Sequence, residues 1–170
     1  MDITRAQNLC EILDGHLERY QTLVDYIAQE KKYLLELDLD GLFASSKMKE
    51  ELARDIQDNI GELVGAINET ALMLGLPLEP QPLLADLASR LPRPFGNQVN
   101  DGAIKLARLK NTIQRENEAN RHFVEEAIRL VNESINILTG ANQLKGDGYK
   151  KDGTQGEKKL TLPVKLSRAV

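Results

Sequence analysis

The sequence predicts an all-α protein: an elongated antiparallel bundle of three long helices, with one short connecting helix and a flexible C-terminal tail. Three observations carry this reading. Apolar residues recur in alternating steps of four and three over long stretches, which is the seam of packed long helices. Aromatics make up only 4% and Trp is absent, so the core is built from Leu, Ile, Val and Ala. Such a core suits helix packing better than strands, where aromatic and β-branched residues dominate. A length of 170 residues, 41% hydrophobic and 28% charged, fits one soluble globular domain. The expected division is a helical bundle over residues 1–140 and a basic tail over 141–170.

The first helix is expected from Thr4, whose hydroxyl can cap it, to Asp38. Its apolar seam reads Leu13, Leu17, Tyr20, Val24, Ile27, a skipped slot at Lys31, and Leu34. Asp38-Leu39-Asp40-Gly41 interrupts it, and either Asp can cap a second helix from about Asp40 to Leu74. That seam reads Leu42, Ser45, Lys49, Leu52, Ile56, Asn59, Leu63, Ile67, Thr70 and Leu74, with Ile60 and Val64 widening the face. Gly75 suits the left-handed position just past a helix end, and Pro77 blocks continuation.

Five of the six prolines lie between residues 76 and 96. A structureless connector of that length is unusual within a domain. Leu83, Leu84, Leu87 and Leu91 stand at helical spacing, so a short helix is expected over Pro82–Leu91, bounded by Pro82 and Pro92.

The last long helix is expected from Asn97 or Asp101 to Thr139, ended by Gly140. One seam runs Leu106, Leu109, Ile113, Glu116, Asn120, Phe123, Ala127, Leu130, Ser134, Ile137. Beside it, a second seam runs Val124, Ile128, Val131, Ile135, Leu138. Together they make a broad apolar face. Either the core of a three-helix bundle consumes that face, or part of it is an accessible groove for an amphipathic partner helix. The polar stretch Gln114–His122 places Glu116 and Asn120 in seam slots, with Asn117 beside them. It reads either as a polar layer fixing helix register or as a polar contact for a partner.

Residues 140–170 carry seven basic and three acidic side chains, a net +4, which leaves −8 on the rest of a chain whose total is −4. An acidic body argues against nucleic-acid binding, which needs a basic face for phosphates. Disorder is expected from Gly140 to about Lys159. Leu160, Leu162, Val164 and Leu166 then alternate as in a strand, with Pro163 restricting them to an edge or an extended peptide. This end docks either on a partner or back on the bundle.

Catalytic and metal chemistry find little footing. Neither His16 nor His122 has a Glu three residues earlier, and Cys-x-x-Cys and His-x-x-x-His are absent. Both histidines read as surface or seam-edge residues. Cys10, the one cysteine, reads as a buried structural thiol and points to a reducing compartment. The N-terminus lacks signal-peptide features, and no apolar run approaches the roughly 20 residues of a membrane span. The protein is expected to be cytoplasmic, with no catalytic activity and no cofactor or metal.

Several segments resemble the FlgN family of flagellar type III export chaperones. They are LFASSKMKEELARDI opening the second helix, the LGL stop at 74–76, LLADLASRL, ENEANRHFVEEAIRLVNESINILTG at 116–140 and GYKKDG at 148–153. Asn117 and Asn120 match the family's Asn-x-x-Asn pattern, whereas Lys150 stands where a Gly usually follows the tyrosine at 149. The resemblance implies a chaperone that holds the amphipathic C-terminal helices of hook–filament junction proteins (FlgK- and FlgL-like) and delivers them to the export apparatus. It places partner binding on Phe123, Val124, Ile128, Val131, Ile135 and Leu138, with Tyr149 as a tail contact. The competing reading is a structural or regulatory coiled-coil protein that forms a homodimer through its last helix.

Overall fold

The structure, a computed structural model, describes residues 3–139. It contains four helices in these residues: α1 (Ile3–Glu36), α2 (Leu39–Met73), α3 (Leu84–Arg90) and α4 (Phe95–Leu138). The all-α class and the plan of three long helices plus one short helix are as the sequence predicts. The chain divides into two compact units, Met1–Glu126 and Ala127–Val170. The expected tail over 141–170, including Tyr149 and the Leu160–Leu166 segment, lies outside the described residues.

In the first unit, α1 and α2 run antiparallel. His16 meets the Asn59 carbonyl, Arg19 meets Asp55, and Glu30 meets Lys49. The part of α4 before Glu126 runs parallel to α1. Gln98 donates to Asp14 at 2.9 Å, the Lys110 ammonium sits 5.6 Å from the Tyr20 ring centre, and Asn120 reaches Ile27 and Glu30.

The main core joins the N-terminal half of α1 to the C-terminal half of α2, then to α3 and the start of α4. Leu9, Leu13, Ala71, Leu87 and Val99 are sealed at its centre. A smaller cluster of Leu23, Ile27 and Ile56 continues the seam, with Leu52 and Ile113 against it.

The seam of α2 follows the predicted register: Ser45, Ile56, Leu63, Ile67 and Thr70 are buried. Ile60 and Val64 remain exposed and do not widen the buried face. The seam of α1 shares Leu13 and Ile27 with the prediction, but the alternate layers are one residue earlier. His16 and Leu23 are buried where Leu17 and Val24 were expected, with Leu17 half-buried against the core, and Glu30 is buried beside the skipped slot at Lys31. Apolarity favoured Leu17 and Val24. The polar residues win the inner slots because α2 and α4 supply their hydrogen-bond partners, which removes most of the cost of burying them.

The helix ends also differ in detail. α1 already includes Ile3, so Thr4 lies inside its first turn rather than capping it. Asp38 caps α2, its carboxylate accepting from the Gly41 amide at 3.0 Å. Leu37 between α1 and α2 adopts φ 58°, and the Asp38 amide donates back to the Tyr33 carbonyl at 3.0 Å. This closes α1 in the manner usually reserved for glycine.

Gly75, at φ 69°, does the same for α2 as expected. Its amide bonds Leu72 at 3.1 Å and the Leu76 amide bonds Ala71 at 2.9 Å. α3 is shorter than Pro82–Leu91. Leu83 becomes its exposed N-cap, while Leu87 and Leu91 enter the core. α4 begins at Phe95, ahead of Asn97, because the Gly96 amide can bond the Pro92 carbonyl at 3.1 Å.

Candidate functional site

Two of the polar residues expected in seam slots of the last helix, Glu116 and Asn120, meet partners that the sequence did not predict. Asn120 is the last buried position of α4 among the described residues. Its amide nitrogen donates to the Ile27 carbonyl and to Glu30 Oε2, both at 3.1 Å. The Glu30 carboxylate also accepts Lys49 Nζ at 2.6 Å and Ser46 Oγ at 3.1 Å. Three helices are therefore tied at one level.

Burial by itself would raise the Glu30 pKa. Hydrogen bonds from Lys49, Asn120 and Ser46, with the Lys49 charge, outweigh it and hold the carboxyl below its ordinary value. Glu116 lies half-buried beside this layer, accepting from Arg115 at 2.9 Å and Lys31 at 3.4 Å. Those donors keep its carboxyl below the ordinary value too. Asn117 is half-buried. Asn120 Oδ1 is buried with no hydrogen-bond partner. The reverse amide orientation would turn this oxygen towards Glu30 and the Ile27 carbonyl, so the observed one is favoured.

Beyond Asn120 the burial pattern of α4 changes at once. Every described residue from Arg121 to Thr139 is exposed. Phe123, Val124, Ile128, Val131, Ile135 and Leu138 leave between 37% and 85% of their surface accessible. Leu130 and Ile137, from the neighbouring seam, are exposed as well. The helix supports itself locally through i,i+4 pairs: Arg121 with Glu125 at 2.8 Å and Arg129 with Glu133 at 2.7 Å. In the second unit Ile128, Val131, Ile135 and Leu138 form an apolar strip along the helix, presented to solvent, and at the end of the first unit Phe123 and Val124 are exposed as well. Contiguous exposed apolar surface of this kind marks interaction sites.

The histidines separate. His122 is exposed, 3.7 Å from Glu125. His16 is 1% exposed and its Nε2 lies 3.2 Å from the Asn59 carbonyl. This corrects its expected surface or seam-edge position. It is a core residue whose ring nitrogen is satisfied by α2. Cys10 is buried as expected, and burial, followed by the charges of Asp14 and Glu11, pushes its thiol pKa up. An unreactive thiol is the consequence. Among the described residues, no group of three or more His, Cys, Asp and Glu side chains is placed to hold a metal ion, and no helix is long and apolar enough to cross a membrane.

Two features escaped the sequence reading. One is the set of exposed side chains Leu35, Leu37, Leu39 and Phe43 around the α1–α2 turn. Their crowding near Asp38-Leu39-Asp40-Gly41 was a readable signal. The other is an open groove of ≈ 520 Å³ between α1 and α4, with Asp14 and Glu18 on one wall and Lys105 and Arg108 on the other. Its charges are complementary across the groove, and Leu17, Gln21 and Leu109 line it as well.

No curated protein and no solved structure matches the chain. The family model described as FlgN protein matches residues 1–157, nearly the whole length and all four helices. With the predicted helical plan present and the resemblance in its segments matched by that model, the chain belongs to the FlgN family of flagellar export chaperones.

Proposed function

We propose that this protein is a cytoplasmic, non-enzymatic chaperone of flagellar type III export. It holds the amphipathic C-terminal helices of hook–filament junction proteins of the FlgK and FlgL kind and carries them to the export apparatus. The observation that supports this reading is the exposed strip Phe123, Val124, Ile128, Val131, Ile135 and Leu138. A client helix lays its own apolar face along that strip, at the i, i+3, i+4, i+7 spacing of helix-in-groove recognition. Burial of about 500 Å² of apolar surface contributes on the order of 10 kcal/mol before costs. Ordering and association remove much of it and leave roughly micromolar to nanomolar affinity. That range suits a cargo that must later be released.

The Glu30–Lys49–Asn120 layer fixes where the strip begins, because it anchors α4 to α1 and α2 at the last buried position. A synthetic peptide with the sequence of a junction subunit's C-terminal helix tests the reading. Titrated into methyl-labelled protein, it is expected to shift the resonances of Ile128, Val131 and Ile135 while leaving Leu9 and Leu87 unchanged. Shifts confined to other surfaces, or no binding, would refute this assignment. A concentration-dependent dimer that hides the same methyls would support the homodimer instead.

A further inference from the structure

The exposed strip and the end of the sequence are matched in length, polarity and charge. From Val124 to Leu138 the strip spans about 21 Å at 1.5 Å per helical residue. From Leu160 to Leu166 an extended segment spans about 20 Å at 3.3 Å per residue. Leu160, Leu162, Val164 and Leu166 alternate, so in an extended chain all four point to one side. Pro163, between them, lacks an amide that would otherwise need a partner.

Charge favours the same pairing. Residues 124–138 carry three acidic side chains and one basic. Residues 157–170 carry four basic and one acidic, with Lys158 and Lys159 before the apolar run and Arg168 after it. The twenty residues 140–159 join the two. Their fully extended reach, about 66 Å, is several times what a return along α4 requires.

We propose that the Leu160–Leu166 segment docks in cis on the α4 strip when no client is bound, and that an arriving client displaces it. The inference rests on the chaperone reading for the client's part, but the docking itself does not. A tethered segment meets its site at an effective concentration on the order of millimolar. A contact too weak to survive between separate molecules therefore suffices to cover the strip. The cover limits self-association of exposed apolar surface. A client with micromolar or better affinity still displaces it, at the cost of a small reduction in apparent affinity.

The test uses the full chain. Cys10 is buried, so Ser167→Cys supplies the thiol that a nitroxide label reaches. Paramagnetic broadening is then read at the methyls of Ile128, Val131 and Ile135. The expected result is strong broadening that is lost in the double variant Leu162→Asp/Leu166→Asp. The same variant is expected to bind the junction-subunit helix peptide about threefold more tightly than the native tail.

Absence of broadening, or broadening that the acidic substitutions leave unchanged, overturns the docking. If the peptide still binds in that case, the chaperone reading stands without it. Broadening seen only when label and methyls are on different molecules also overturns it, in favour of a second copy. Broadening within one molecule, with no peptide binding by either chain, supports the docking and removes the client reading.

Discussion

The side-chain amide of Asn120 donates to the Glu30 carboxylate at 3.1 Å, joining α4 to α1 across ninety positions of sequence. Lys49 from α2 completes the contact at 2.6 Å, so one carboxylate gathers three helices. Replacing it with Gln removes the charge that Lys49 pairs with and turns one of the two accepting oxygens into a donor facing Lys49 or Asn120. Glu30→Gln is expected to lower stability by about 2 kcal/mol, discounted from the fully buried case because Lys49 keeps some solvent. Asn120→Leu also deletes the unsatisfied Oδ1 and is expected to cost about 1 kcal/mol or less. Urea denaturation of both variants measures this. Equal losses would contradict the ranking.

The same carboxylate sets a pH dependence. Its folded pKa is lowered, so its contribution is complete above the unfolded carboxylate value and is lost as pH falls through the folded one. Stability is therefore expected to decline on acidification below about pH 4.5, the ordinary range of the group. Glu30→Gln should show a shallower decline there. Denaturation midpoints compared between pH 7 and pH 3 provide the check, and parallel curves would show that Glu30 carries no such linkage.

Leu37 occupies a left-handed conformation at φ 58° with 82% of its surface exposed. An L-residue with a side chain pays about 1–2 kcal/mol there, and the exposed side chain recovers little of it. Leu37→Gly is expected to stabilise the protein by about 0.5–1 kcal/mol after the added freedom of the unfolded chain is subtracted. Thermal unfolding measures the gain. A loss would mean that Leu37 packs in a way its exposure does not show.

Gly96 and Gly61 make an opposed pair. A Cβ at Gly96 would lie 2.6 Å from the Ala88 carbonyl oxygen and 2.9 Å from that of Leu91, where only backbone movement relieves it. At Gly61, in the interior of α2, a Cβ meets nothing within 4 Å. Gly96→Ala is expected to cost about 2 kcal/mol by forcing α3 from α4. Gly61→Ala is expected to gain up to about 1 kcal/mol through helix propensity. Denaturant midpoints of the two variants should move in opposite directions.

The helical plan was legible because long heptad runs and clustered prolines are strong local signals. The α2 register was legible even through its polar slots Ser45, Lys49, Asn59 and Thr70, because Ile56, Leu63 and Ile67 fix it, although the neighbouring Ile60 and Val64 were wrongly expected to widen the face. In α1 a rival existed. Leu17 and Val24 offered a better apolar pattern than His16 and Glu30, and only the partners on α2 and α4 make the polar choice favourable. Side-chain pairing across elements is invisible to periodicity along one. The twin seam of α4 was legible as broad and apolar, but its exposure was not. That depends on Asn120 being the last position where the helix is buried.

The affinity of Ile135→Asp and Val131→Asp for the junction-subunit helix peptide, measured by calorimetry alongside the circular dichroism of each variant, bears most directly on the client-binding claim. Both positions are exposed, so the substitutions should leave helicity and melting temperature unchanged while weakening binding by a hundredfold or more. Native affinity in both variants would contradict the account, and so would loss of helicity, which would make the strip part of the core.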